Sequence, residues 1–211
     1  MSPKQKSHKK QAETIITNFS KRGIEGYYCE DRASAVEKAM GLIAAGSTVS
    51  WGGSTTLAEI GIMDVLKDSD LELIDRMTAV TPREKKEIYA KTVMADYYLT
   101  SANAITLDGQ LINIDGNGNR VACIITGPDN VIVIAGMNKI ATDVDAGIAR
   151  VRNFAAPPNA QRLGSKTPCA VTGKCEDCLS PDCLCCNAVI TRKSKIPNRI
   201  KVILVGEELG F

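Results

Sequence analysis

Apolar residues recur at one-turn spacing over 4–22, where Ala12, Ile15, Ile16 and Phe19 share a face and Gly23 follows, and this predicts a helix. Residues 24–30 read as a short strand, and 31–46 as a helix with Ala35, Ala39, Leu42 and Ile43 on one side. The same alternation continues: strand 47–51, helix 55–68, strand 71–75, helix 81–95 with Pro82 in its first turn, and helix 142–156 stopped by Pro157 and Pro158. Segments 96–106 and 110–115 read as strands around an Asp108–Gly109 turn. The nearly unbroken apolar runs 120–127 and 131–138 read as strands covered on both faces, and 199–206 as the last strand. Strand–helix alternation of this kind predicts an α/β fold: a Rossmann-like, mostly parallel sheet with a mixed portion near 96–134 and helices on both faces.

Length and charge narrow the picture. With 211 residues, 44% apolar and 24% charged, the chain suits one α/β domain, here 11–165, with a cysteine-rich excursion at 166–187 and a return to the sheet at 188–211. The opening MSPKQKSHKK reads as a flexible basic tail over 1–10. A net charge of +2 argues for neither nucleic acid nor an anionic membrane as partner. No run is long and apolar enough to span a bilayer, and no secretion signal opens the chain, so a cytoplasmic location is expected. The single histidine, His8, excludes a Ser-His-Asp triad and an HExxH zinc site by inventory.

Two stretches carry candidate chemistry. SWGGSTTLAEIG (50–61) turns from strand to helix through Gly52, Gly53, Ser54 and Thr55. Glycines there let an anion approach backbone N–H groups, and hydroxyls add donors, so the loop is either a phosphate or carboxylate cradle or simply a capped turn. Trp51 is its wall or lid, or ordinary packing. It is neither a Walker loop nor a GxGxxG fingerprint. The second stretch, 100–120, is dense in Ser, Asn, Asp and Gly; Ser101, Asn103, Gly116, Asn119 and Arg120 are candidate ligand-binding residues beyond the carboxyl ends of strands. Arg120 would offer a planar fork to an anion. Asp96 or Asp115 is the candidate general base, with Lys139 as cation or proton donor.

Six of the eight cysteines crowd into CAVTGKCEDCLSPDCLCC, with the spacing C-x5-C-x2-C-x4-C-x1-C-C. Cys175-x2-Cys178 is a chelating step, and two further thiolates would complete a zinc or an iron–sulfur site. Disulfides suit a reducing compartment poorly, and six inert exposed thiols would be an oxidation liability. Cys29 and Cys123 fall in apolar runs and read as core.

SWGGSTTLAEIG, ADYYLTSANAITLDGQLINIDGNGNRVACIITGP, VIVIAGMNKIATDVDAGIARVRNFAAPPNAQRL and the closing KTPC…GKCEDC resemble the LUD-domain, or lactate-utilisation, family. That family is similar in fold to the ribose-phosphate isomerase, glucosamine-phosphate deaminase and CoA-transferase superfamily, in which a glycine-hydroxyl loop receives a phosphate or acyl group. The resemblance implies a role in oxidising L-lactate or another 2-hydroxy acid, a small anionic ligand, and iron–sulfur partner subunits. It also implies Cys169, Cys175, Cys178 and Cys185 as the quartet holding an iron–sulfur cluster or zinc, with Cys183 as alternative to Cys185. No counterpart of the CoA-transferase glutamate is found. Two other readings stay open: an isomerase or transferase of a phosphorylated small molecule with structural zinc, and a non-enzymatic subunit docking an iron–sulfur partner. Oligomeric state is open too, a homodimer among the options.

Overall fold

The computed structural model describes residues 1–211. In its first half the elements are α1 (Pro3–Lys21), β1 (Glu25–Cys29), α2 (Arg32–Gly41), β2 (Thr48–Trp51), α3 (Thr55–Glu59), α4 (Ile62–Lys67), β3 (Glu72–Ile74), α5 (Pro82–Val93) and β4 (Tyr97–Thr100). Then follow β5 (Ala104–Thr106), β6 (Leu111–Asp115), α6 (Asn119–Ile125), β7 (Asn130–Gly136), β8 (Ile140–Ala141), α7 (Val144–Arg150), α8 (Ala156–Leu163), α9 (Pro168–Thr172), β9 (Asn187–Thr191) and β10 (Ile200–Val205).

Six strands form one wholly parallel sheet in the order β1-β10-β7-β4-β2-β3. Alternate residues of β7 serve opposite faces, as the pleat requires. Val131 and Val133 pack with Ile15, Phe19, Tyr98 and Leu204, whereas Ile132 and Ile134 pack with Leu57, Leu66, Leu99 and Ile203. Each face therefore has its own helical cover and its own core, which accounts for the unbroken apolar run in the sequence. The antiparallel content is not a mixed edge of this sheet. It segregates into a second, four-stranded sheet, β8-β5-β6-β9, because the chain leaves the main sheet at Ser101–Asn103. The expected Asp108–Gly109 turn closes the β5–β6 hairpin, with Gly109 at φ 86°.

Four expectations need correction. The basic N-terminus is not a flexible tail: Ser2 Oγ accepts from Gln5 N at 3.2 Å, Gln5 Oε1 accepts from Ser2 N at 2.7 Å, and Pro3 opens α1 at once. Residues 55–68 are two helices, broken where Gly61 takes φ 76°. Residues 119–125 form the helix α6 and not a strand, so Cys123 is a buried helical residue. Side chains from elsewhere cap both ends of α6. Asp115 Oδ2 accepts from Arg120 N (3.2 Å) and Val121 N (3.4 Å), while the buried Arg199 donates to the carbonyls of Cys123, Ile124 and Pro128 at 2.7–2.9 Å. Finally, Pro157 and Pro158 do not stop the helix. Residues 151–155 widen into a π-helical turn, and α8 continues from it with the prolines in its first turn, where N–H groups are not needed. No helix is long and apolar enough to cross a membrane.

Candidate functional site

A cavity of about 800 Å3 opens at the carboxyl ends of β2 and β4, between them and the end of β6, the helical stretch from Val151 to Leu163 and the cysteine loop. Such a place is where open parallel sheets hold ligands, since loops diverge there and helix N-termini point inward.

The loop after β2 contributes Gly53, Ser54, Thr55 and Thr56 to its wall. Gly52 sits behind it: a Cβ there would lie 2.9 Å from the Tyr98 hydroxyl oxygen and 3.4 Å from Thr100 Oγ1, so only glycine fits against β4. Ser54 caps α3, its Oγ accepting from Leu57 N at 3.3 Å. Trp51 is neither wall nor lid; it packs against the core on the α3 side of the sheet.

Lys139, in the 3-10 turn after β7, reaches the floor of this cavity and is only 4% exposed. Its Nζ lies 2.8 Å from Thr56 Oγ1 and 3.0 Å from Ser101 Oγ, and no carboxylate pairs with it. Burial pulls its pKa down to about 7, with help from the nearby Arg150 and Arg120 charges. A substantial share of the amine is therefore neutral at physiological pH, facing two hydroxyls.

Arg120 and Asp115 meet, but not as the sequence suggested. The guanidinium is consumed by the protein: Nη1 donates to Ser101 O (3.3 Å) and Asn113 Oδ1 (3.0 Å), Nη2 to Asn103 Oδ1 and Ile114 O (both 2.8 Å), and Nε to Asp115 Oδ1 (3.4 Å). It ties the mouth of β4 to the end of β6 and lends the cavity its charge, not a free fork. Asp115 divides its oxygens between that pair and the start of α6, and Asn103 Oδ1 also accepts from Ile114 N at 3.0 Å. Asn119 and Gly116 line the cavity, and the Gly116 carbonyl accepts from Asn187 Nδ2 at 3.0 Å.

Asp96 is not in the site. It precedes β4, at the amino end of the sheet, where its Oδ2 accepts from Thr48 N (2.8 Å) and Thr48 Oγ1 (2.7 Å). Those two bonds hold its carboxyl below the usual range. Asp96→Ala is expected to cost about 1–2 kcal/mol in urea unfolding, and to leave ligand binding at the cavity unchanged; a binding loss at full stability would restore it to the site.

Two cavity cations escaped the sequence reading. Arg76 enters from the turn after β3, beside Gly53, with no protein acceptor for its guanidinium. Arg162 stands on α8, donating to Asn159 Oδ1 through Nε and Nη2 with Nη1 unengaged. Their approach depends on a crossover and on the π-turned helix, neither of which leaves a local signal.

The cysteine run is no remote excursion: Cys183, Leu184 and Cys185 form part of the cavity wall. All eight cysteines are unpaired. Burial pushes the Cys185 thiol up to about 11, reinforced by its neighbours Cys183, Cys175, Cys169 and Cys178. Cys175 Sγ accepts from Arg152 Nε at 3.2 Å, Arg152 also pairs with Asp177, and Cys186 is exposed. Although the run folds back on itself, no three Cys, His, Asp or Glu side chains come together in a metal-binding arrangement. In this arrangement the cysteines do not fit a cluster or zinc without moving.

The LUD-domain family model matches residues 12–205. The chain belongs to the LUD-domain family. That family is associated with lactate utilisation. The LUD domain here is also similar in structure to a DUF162 family protein from Deinococcus radiodurans, with a TM-score of 0.52, 15% identity, and coverage of 97% of this chain and 99% of that one. At that identity the likeness speaks for the fold alone. No curated protein matches the chain.

Proposed function

We propose that this LUD domain serves the utilisation of L-lactate or a related 2-hydroxy acid by binding the small acid, or its 2-oxo product, in the cavity at the end of the parallel sheet. The observation that carries the reading is Lys139, a buried amine bridging Thr56 and Ser101 on the floor of a polar cavity rimmed by Arg76 and Arg162. The arginines and the Ser54–Thr55 hydroxyls supply donors for a carboxylate. A neutral amine near pH 7 accepts the proton of a 2-hydroxyl group, a task that neither Asp115 nor Asp96 is free to perform. The cysteine run is proposed as the site of an iron–sulfur cluster or zinc, which requires the thiols to rearrange from the positions described, and no chemical step is assigned to it.

A second reading, a phosphorylated small molecule as ligand, is favoured by the unengaged donors of Arg76 and Arg162, which suit a dianion as well as a carboxylate. Melting curves with millimolar lactate, pyruvate or sugar phosphates separate the two, because a ligand of the folded state raises its melting temperature. Lactate or pyruvate is expected to raise it. A shift with sugar phosphates alone would transfer the site to the second reading. Anaerobic purification with iron and zinc analysis tests the cysteines: stoichiometric metal is expected, and a metal-free chain after loading would remove them from the account.

A further inference from the structure

We propose that Lys139 forms a Schiff base with the carbonyl group of a 2-oxo acid bound in the cavity. The inference rests on the reading of the cavity as a hydroxy- or oxo-acid site and adds a covalent step to it.

Three features of the floor carry it. The two N–H bonds of a neutral Lys139 amine are spoken for by Thr56 Oγ1 at 2.8 Å and Ser101 Oγ at 3.0 Å, which leaves the nitrogen lone pair as the one unengaged valence. Lys139, Thr56 and Ser101 all line the cavity, so the amine stands at the edge of the ligand space. Both hydroxyls also donate to a backbone carbonyl, Thr56 to Leu209 O at 3.4 Å and Ser101 to Ala102 O at 3.3 Å, which fixes their oxygens as acceptors for the two amine hydrogens. The charge environment agrees. Burial first, then the nearby Arg150 and Arg120 charges against the weaker opposing pull of Glu59, keep a nucleophilic fraction of the amine available at neutral pH.

The step balances without any redox partner. The Lys139 nitrogen adds to carbon 2 of the oxo acid, and one proton of the resulting ammonium passes to the new alkoxide to give a carbinolamine. Loss of water then replaces C=O by C=N; the carbonyl oxygen leaves with both amine hydrogens. The acid's carboxylate would lie toward Arg76, Ser54 and Thr55, on the rim. A 2-hydroxy acid has no carbonyl and cannot react this way, so the lysine would distinguish the oxidised from the reduced partner of one couple.

The full chain is incubated at pH 7 with pyruvate and cyanoborohydride, which reduces an imine to a stable amine, and the product is read by intact mass and peptide mapping. Gain of a single carboxyethyl group on Lys139 is expected, with none when lactate replaces pyruvate. Peptide mapping separates Lys139 from the α-amino group and the exposed lysines, which serve as the internal reference for unspecific labelling. Lys139→Arg is expected to lose the adduct; should that variant fail to fold, the map of the native chain decides alone. Absence of the adduct while pyruvate raises the melting temperature would overturn the covalent step and leave the binding reading intact. Absence of both would overturn the two together, and labelling spread over surface lysines would overturn the assignment to Lys139.

Discussion

Arg120→Ala is expected to lower the unfolding free energy by about 3–5 kcal/mol, the range for breaking a buried ion pair from one side. The removed guanidinium leaves Asp115 unpaired at a side-chain exposure of only 16%, and strips partners from Asn103, Asn113 and the carbonyls of Ser101 and Ile114. Each buried acceptor so orphaned carries its desolvation cost, and water entering from the cavity repairs only some of them. Arg120→Lys should recover little, since an ammonium group cannot reach acceptors on both β4 and β6 in the plane of a fork. Urea unfolding of the two variants measures this. A loss below about 1 kcal/mol for the alanine variant would mean that the network is solvated in solution and that Arg120 is available to ligand after all.

The second large effect runs the other way. Lys139→Met is expected to stabilise the domain at pH 7, by roughly 1–3 kcal/mol, while abolishing ligand chemistry. The folded state holds the Lys139 proton only below about pH 7, whereas its ordinary value is 10.5. Between those values the unfolded chain binds more protons than the folded one, so the stability of the native protein rises with pH across the window and the penalty is greatest at and below pH 7. Methionine carries no such penalty. Its advantage should therefore shrink as pH climbs from 7 toward 10, where the native lysine keeps its two hydroxyl partners without charge. Parallel unfolding curves at pH 7, 8, 9 and 10 read the difference. A difference independent of pH would mean that the amine titrates at its ordinary value and would remove the neutral nucleophile from the site.

The main sheet was legible because its signals are local. α5 announces itself through Thr81, Pro82 and Glu84, and the structure pairs Thr81 with Glu84 in a capping box and seats Pro82 in the first turn. Asp108–Gly109 closes its hairpin for the same reason. The errors share a different origin. Residues 120–125 read as strand because β-branched and apolar residues follow one another, yet Asp115 from one side and Arg199 from the other cap them as a helix. Pro157 and Pro158 mark a boundary by propensity, but a helix can carry them in a first turn if a π turn precedes. At the site, strand direction alone sorts the carboxylates: Asp96 precedes β4 and Asp115 ends β6, so only the second is at the ligand end. Ser101 and Lys139 were readable from that rule. Arg76 and Arg162 were not, and neither was the consumption of Arg120, because hydrogen-bond saturation is a property of the assembled neighbourhood.

The place of β10 has a consequence for how the chain is made. β1 touches no strand but β10, and β7 meets β1 only through it. While the polypeptide is being synthesised, residues 25–29 therefore have nothing to pair with until residues 200–205 emerge, and the edge of β7 stays bare for the same interval. Closure of this sheet is a late event at its interior rather than growth at a rim. An unfinished chain therefore presents an unpaired apolar strand edge until its last strand emerges, the kind of edge on which association between chains begins.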